Sequence, residues 1–498
     1  MRDCIQFHSK IRPDDIAVID LSFNRTWTYR SFNRMIDTFA CILLEKGVIQ
    51  GDRIVCLAKN RAEVPALHFA CSRIGAIFVP LNWRLTLEEL KLIIEDCNPR
   101  YLFVDQETSE KGLPGEDLEQ LFFEEYSELS IINNPVLQDD IPSLILYTSG
   151  TSGFPKGVIL SEKNLDETAI NFALLSDIHR ASSFLCEAPM FHIIGLITSI
   201  RPVLFFGGKI IISDHFIPQN TLRYLSDSKL NVTHYLCVPQ MAKALRQEPD
   251  FSPALLRNLK AIITGGSPHP KDDIQEWLDD GIHILEGYGM SEAGTILGMP
   301  VNMNILKNKV GYTGLTTHRL QIRLTDDTGQ VITEHQIAGE LQVKGPNIMQ
   351  GYWNKKDEFS AAHTDDGWFK TGDIGLCDDD GYFRIIDRKK DMYISGGENI
   401  YPSELELVVK KYPGVDSCVV VGVPDIKWGE VGCLYVVLDK KSIHPPSTEK
   451  INLFLEKYLA RYKLPKYIYY LDELPRNAAG KVLKDSLIKQ HNSSLKDT

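Results

Sequence analysis

The sequence predicts an α/β protein with three parts: a large N-terminal region of doubly wound sheets, a small antiparallel sheet or barrel, and a small α+β C-terminal domain. Three observations predict it. Strand and helix patterns alternate from Val55 to Val104 and again from Asn164 to Thr264, the rhythm of a parallel sheet with helices on both faces. After Gly314 the pattern changes to short alternating strands with Asp-Asp-Thr-Gly and Asp-Asp-Asp-Gly turns, which join antiparallel neighbours. Beyond Arg388 the remaining chain is long enough to own a core.

Each element has a local reason. Thr28-Tyr-Arg-Ser31 is an opening cap before a helical pattern that ends near Gly47. Val55 to Ala58 reads as a strand, Glu63 to Arg73 as a helix, Gly75 to Val79 as a strand, Leu87 to Asp96 as a helix and Tyr101 to Val104 as a strand. Residues 106–141 are acidic and polar, a surface connection ahead of the buried strand Leu144-Ile-Leu146. Ile193 to Ile212 reads as a buried helix followed by a strand; Arg201, Pro202 and Lys209 exclude a membrane span there. The C-terminal unit carries a helix from Ser403 to Lys411, strands at Asp416–Gly422 and Cys433–Leu438, and a helix from Thr448 to Leu459, with frayed polar residues at 492–498. The expected division is 1–387, with a β-rich subdomain at about 314–387, a hinge at 388–390, and a mobile domain at 391–498.

Composition narrows the function. The 498 residues are 43% hydrophobic and 24% charged, ordinary for a globular protein. A net charge of −12 argues against nucleic acid as a partner. The ten cysteines are scattered without a Cys-x-x-Cys pair and read as buried free thiols in a reducing compartment. The N-terminal residues lack the apolar core of a signal peptide. A cytoplasmic protein without a transmembrane segment is expected; peripheral membrane contact and the oligomeric state stay open.

The most informative segment runs from Tyr147 to Gly157. It sets the hydroxyls of Thr148, Ser149, Thr151 and Ser152 among Gly150, Gly153 and Gly157, and ends on Pro155-Lys156. Glycines let backbone N–H groups approach an anion, and Lys156 adds positive charge, so the loop suits a polyphosphate. No register matches a Walker A loop, and Val158-Ile-Leu160 follows as a strand instead of a helix.

This loop resembles the phosphate-binding signature of the acyl-adenylate-forming superfamily, and four later segments match the family's order. Glu286-Gly-Tyr-Gly-Met-Ser-Glu292 is similar to the second signature, with Ser291 where Thr is commoner. Gly367-Trp-Phe-Lys-Thr-Gly-Asp373 is similar to the third. Asp387-Arg388-Lys-Lys390-Asp391 with Ser395-Gly-Gly-Glu-Asn-Ile-Tyr-Pro402 resembles the hinge and its loop, and Pro475 to Lys481 the catalytic-lysine loop. Asn477 and Lys484 depart from the commoner Thr and Arg but leave the Gly480-Lys481 pair intact.

The resemblance implies acyl-CoA synthetase chemistry with ATP and CoA as co-substrates and Mg2+ as cofactor. The loop from Thr148 to Lys156 would hold the β- and γ-phosphates. Glu292 and Thr148 are the implied Mg2+ ligands. Gly265, Gly266 and Ser267 would face Glu286, Gly287, Tyr288, Gly289, Met290 and Ser291 across the adenine, and Asp373 and Arg388 would hold the ribose. Lys481 would bridge the carboxylate and the α-phosphate, Lys390 would be the pivot, and Gly396 and Gly397 would line the pantetheine tunnel.

Pro189-Met-Phe-His192-Ile-Ile194-Gly-Leu resembles the segment at the mouth of the acyl pocket, with His192 as gate or thioester-step residue or a packed histidine. Ile194, Thr198, Val238, Gly266 and Met290 are the expected lining, apolar or small. Phe191-His192-Ile193 lacks an Asp to pair an α-amine, which excludes amino acids. A medium- or long-chain fatty acid is the expected substrate, with an aryl acid next. The rivals are an acyl-AMP ligase loading a separate carrier protein, a luciferase-like oxygenase and a non-catalytic nucleotide-binding regulator.

Overall fold

The computed structural model describes residues 3–123, 138, 140–148, 155–395, 398–439, 446–459, 461–476 and 482–494. The chain divides into two compact units, residues 1–322 with 343–369 and residues 323–342 with 370–498.

Two sheets carry the first unit. In the nine-stranded sheet Ile16–Asp20, Lys209–Ile212, Ser183–Cys186, His234–Cys237, Ala261–Thr264 and Ile284–Met290 run parallel in that spatial order. Antiparallel strands finish it, Arg25–Thr28 at one edge and Gly294–Gly298 with Leu315–Thr316 at the other. The seven-stranded sheet joins Pro142–Thr148, Ile77–Pro80, Arg53–Leu57, Tyr101–Val104 and Glu116–Asp117 in parallel, and adds Lys156–Ser161 and Gly351–Tyr352 antiparallel. Its parallel strands are apolar on both faces, as sheets covered on both sides require.

Helix starts follow local chemistry. Thr28 with Ser31, Thr86 with Glu89 and Ser161 with Asn164 form reciprocal capping boxes for the helices Tyr29–Glu45, Leu87–Cys97 and Glu162–Ser176. The helix Glu63–Ile74 is buried at every residue, and its charged ends are paired, Glu63 with Arg25 and Arg61, Arg73 with Asp3 and Asp37. No helix among the described residues is long and apolar enough to cross a membrane.

The helix expected from Ile193 is broken in two. A π turn, Ile194–Thr198, is closed by Ser199 N–H donating to Ile194 O at 2.9 Å, and the Ser199 hydroxyl bonds the same carbonyl at 2.7 Å. A short helix, Arg201–Phe205, follows with Pro202 in its first turn, where the missing N–H costs nothing. The strand Lys209–Ile212 then forms as expected.

In the second unit, Val331–Ile332, Gln321–Thr325, Gly339–Lys344, Phe369–Cys377 and Phe383–Arg388 lie in that order in an open sheet, not a closed barrel. The two Asp-rich turns close as predicted: Gly329 N–H donates to Asp326 O and Gly381 N–H to Asp378 O, both at 3.0 Å. A second sheet is built on the pair Val415–Asp425 and Gly429–Leu438. Alternate residues of Val415–Asp425 serve two cores. Cys418 and Val420 pack with Leu405, Ile451 and Leu455, whereas Val419, Val421 and Val423 pack with Tyr435 and Leu487. Leu487 belongs to a helix, Lys484–Ser494, that occupies part of the stretch expected to fray.

Residues 323–342 and 370–388 group with the C-terminal segment. Within this unit Ser403 N–H donates to Asp387 Oδ2 at 2.8 Å and the Ser403 hydroxyl to Ile386 O at 2.5 Å, tying the helix Pro402–Val409 to the strand Phe383–Arg388.

Candidate active site

The strands Pro142–Thr148 and Lys156–Ser161 form a hairpin in which Thr148 pairs with Lys156. The phosphate-loop residues Ser149, Gly150, Thr151, Ser152 and Gly153 follow Thr148 in the sequence and lie outside the described residues. The base of the hairpin is ordered by a network that motif reading missed. Lys156 Nζ lies 2.5 Å from Glu358 Oε2 and 5.1 Å from the centre of the Tyr352 ring. The Tyr352 hydroxyl donates to Glu292 Oε1 at 3.1 Å. Tyr352 is placed there by pairing of Gly351–Tyr352 with the Lys156 strand, in register with Val158. The Lys156 ammonium holds the Glu358 carboxyl below its ordinary range. Burial, then the Glu292 charge, raises the Tyr352 phenol, so it stays a donor.

Glu292 is a hard oxygen donor next to this lysine. Among the described residues no group of three or more His, Cys, Asp or Glu could hold a metal. One carboxylate is nevertheless what Mg2+ uses when substrate phosphates and water complete its shell.

The adenine candidates stand at the carboxyl ends of neighbouring parallel strands, the usual nucleotide position in open α/β sheets. Thr264 pairs with Glu286, and Gly265-Gly266-Ser267 follow directly. A Cβ at Gly265 would lie 3.1 Å from Gly287 O, so the two segments approach closely only because side chains are absent. Gly266 has φ +81°, a conformation that glycine adopts without strain. Burial pushes the Glu286 carboxyl up to about 8, moderated by the His269 N–H and the charge of Lys271. Tyr288, Gly289, Met290 and Ser291 continue along this edge, where Met290 pairs with Gly294.

Three of the acyl-pocket candidates, Ile194, Val238 and Gly266, lie together. A Cβ at Gly266 would stand 3.6 Å from Ile194 Cδ1 and 3.8 Å from Val238 Cγ1. Thr198 is buried, one turn beyond Ile194. His192 contacts Phe191, ring centres 4.4 Å apart. Burial, then the Arg84 charge, pushes its imidazole down to about 4, so it is neutral at neutral pH.

In the second unit, Asp373 and Arg388 face each other across paired strands, Nε to Oδ1 2.7 Å. Asp373 is 2% exposed. Lys389 pairs with Glu340 at 2.9 Å, while Lys390 is exposed. Ser395 is buried; Gly396, Gly397 and Lys481 lie outside the described residues.

Comparison with known proteins gives the family. The AMP-binding enzyme family matches residues 6–353, and the AMP-binding enzyme C-terminal domain matches residues 404–481. A feruloyl-CoA synthase of an Amycolatopsis species is 36% identical over 92% of each chain. A long-chain-fatty-acid–CoA ligase of Mycobacterium tuberculosis is 32% identical over 96% of each. The o-succinylbenzoate CoA synthetase of Bacillus subtilis in complex with its acyl-adenylate superposes with a TM-score of 0.88 at 31% identity, covering 98% of both chains. The same enzyme with ATP and magnesium ion gives 0.87 at 30%, covering 98% of this chain and 99% of that one. The chain belongs to the AMP-binding enzyme family, in its acyl-CoA synthetase branch. It is an AMP-forming acid–thiol ligase.

Proposed function

We propose that the chain activates a medium- or long-chain fatty acid with ATP and transfers it to CoA. The observation that carries this reading is the apolar wall of Ile194, Val238 and Gly266 beside the nucleotide edge. The acid's carboxylate oxygen attacks the α-phosphorus, the bond to the β-phosphate breaks, and pyrophosphate leaves. The CoA thiol then loses its proton and attacks the acyl carbon, expelling AMP.

Both steps depend on placing charge and excluding water more than on covalent help from the protein. Thr148, Lys156 and the loop between them hold the β- and γ-phosphates, and Lys156 exchanges Glu358 for phosphate oxygens. Glu292 and Thr148 would hold Mg2+, which when bound neutralises phosphate charge. Tyr288 and the Gly265–Ser267 segment flank the adenine. Asp373 accepts from the ribose hydroxyls with Arg388 beside it. The family resemblance assigns Lys481 to the carboxylate and α-phosphate, the hinge to residues 388–390, and Gly396 and Gly397 to the pantetheine arm. His192, neutral, acts as an uncharged gate at the pocket mouth. Ten free cysteines suit the cytoplasm.

A second reading, an aryl acid, is favoured by the feruloyl-CoA synthase relative. AMP formation from ATP and Mg2+ with graded fatty acids and several aryl acids, each with and without CoA, separates the two. CoA-dependent AMP with fatty acids supports the first. The same with aryl acids alone overturns it in favour of the second. Acid-dependent pyrophosphate exchange without a CoA effect points to a carrier protein as acceptor.

A further inference from the structure

The turn that carries His192 is fixed from outside its own sheet. The strand Ser183–Cys186 belongs to the nine-stranded sheet, and Ala188-Pro189-Met190-Phe191-His192 follows it. His192 N–H donates to Pro189 O at 3.1 Å and closes the turn. Asn60 comes to it from the seven-stranded sheet: Nδ2 donates to Ala188 O and Oδ1 accepts from Met190 N–H, each at 2.9 Å. The same Nδ2 donates to Ser213 O at 3.3 Å, just beyond the strand Lys209–Ile212. The two amide protons and the amide oxygen therefore each have a backbone partner, and the side chain is only 2% exposed.

Asn60 is itself firmly held. It lies in the short loop between the strand Arg53–Leu57 and the helix Glu63–Ile74. On one flank Lys59 N–H donates to Asp105 Oδ2 at 2.8 Å, and on the other Ala62 N–H donates to Asp20 Oδ2 at 3.0 Å. Asp105 follows the strand Tyr101–Val104 of the seven-stranded sheet, and Asp20 ends the strand Ile16–Asp20 of the nine-stranded one. The loop is thus pinned to both sheets, and Asn60 projects from a fixed base.

The turn has no slack. A Cβ on Gly195 would fall 2.2 Å from Pro189 O and 2.5 Å from Ala188 O, and Met190 and Phe191 are buried. A segment packed this closely passes a displacement along instead of absorbing it. His192 stands two residues beyond Met190, and Ile194 Cδ1 lies 3.6 Å from the Cβ position of Gly266. Only a short side chain with a donor and an acceptor on one planar group serves both Ala188 O and Met190 N–H. An Asp in its place would set a carboxylate against two carbonyl oxygens, and a side chain without polar atoms would leave all three backbone groups without this partner.

We propose that Asn60 is a positioning residue for the carboxylic acid: its amide sets the Ala188–His192 turn, and through it the wall of the acyl pocket at His192 and Ile194. Affinity for the acid and preference among acids depend on Asn60, and ATP binding does not, because its bonds reach the turn and Ser213 and none of the nucleotide candidates. The proposal rests on the reading that Ile194, Val238 and Gly266 line that pocket, and it holds for a fatty and an aryl acid alike.

The test measures kcat and KM for the acid and for ATP, by AMP release, in the wild type, Asn60→Asp and Asn60→Ser, over graded fatty acids and cinnamate. Asn60→Asp is expected to raise KM for the wild type's preferred acid roughly tenfold or more and to change the ranking of the acids, with KM for ATP within about twofold of the wild type. Asn60→Ser, which adds no charge, should show the same split at roughly three- to tenfold, and it decides if Asn60→Asp does not fold. Equal rises in the two KM values overturn the proposal. So does a lowered melting temperature with both KM values and the acid ranking unchanged, which would assign Asn60 to stability alone. Ile194→Ala tests the underlying pocket reading separately. An unchanged acid ranking in that variant means the pocket is misassigned; a changed ranking there, with KM for the acid unmoved in the Asn60 variants, refutes the Asn60 proposal alone.

Discussion

Lys156 and Glu358 form an ion pair of 2.5 Å at the base of the phosphate hairpin, with the ammonium also against the Tyr352 ring. The side chain that should meet polyphosphate is thus already held by an anion. ATP binding must break this pair, which is partly exposed and worth roughly 0–1 kcal/mol. Glu358→Gln is therefore expected to lower KM for ATP roughly two- to fivefold with kcat little changed. Lys156→Ala should reduce kcat roughly 10²- to 10³-fold, since it removes a donor aimed at developing phosphate charge. Steady-state AMP release measures both.

Tyr352 connects that lysine to Glu292 through one hydrogen bond of 3.1 Å. Tyr352→Phe keeps the ring under Lys156 and removes the bond. Glu292 is then less well oriented, and the Mg2+ concentration giving half-maximal AMP formation should rise several-fold. Stability should fall by about 1 kcal/mol, the usual worth of one such bond. A magnesium titration beside a urea melt separates the two effects. An unchanged magnesium requirement would show that Tyr352 does not orient Glu292.

The elements that were legible in the sequence are those set by neighbours along the chain. The capping boxes at Thr28, Thr86 and Ser161 each use residues three apart, so their helices start where the sequence says. The turns at Asp326 and Asp378 are equally local. The π turn was not legible, because it depends on Gly195 packing against the Pro189 carbonyl. Glu358 was not legible either: it reaches Lys156 only through the register of the short strand Gly351–Tyr352. The helix Lys484–Ser494 has weak apolar periodicity and is held by Leu487 and His491, which are buried in the tertiary fold. Motif order indicated Asp373 and Arg388 separately; strand pairing joins them.

That pair yields a prediction in which activity and stability part company. Asp373 is buried, but its partner Arg388 is 41% exposed and can be solvated when left alone. Asp373→Ala should therefore cost little in melting temperature, while loss of the ribose acceptor lowers kcat/KM for ATP roughly 10²-fold. A large drop in melting temperature with unchanged KM for ATP would assign Asp373 to structure alone.

Six of the buried groups give stability a definite dependence on pH. His68, His192, His234 and His269 are each pushed down to about 4, chiefly by burial. A lowered histidine favours the neutral form in the fold, so the unfolded chain binds more protons between about 4 and 6.5, and stability rises with pH across that window. Glu187 and Glu286 are pushed up, to about 7 and about 8, again chiefly by burial. Each keeps its proton in the fold above the pH at which the unfolded side chain loses it. Their stabilisation is full below about 4.5 and is lost as pH rises through about 7 and 8. Above about 6.5, the ordinary histidine value, these histidines add no further slope, while Glu286 goes on losing its contribution up to about 8 and stability declines. The melting temperature should therefore fall as pH rises from about 6.5 to 8. Glu187→Gln should remove its share of the loss between about 4.5 and 7 and leave in place the decline from about 7 to 8, which belongs to Glu286; calorimetry from pH 5 to 9 can read both directly. A melting temperature that holds or rises across that range would mean that Glu187 and Glu286 are ionised in the folded protein at neutral pH.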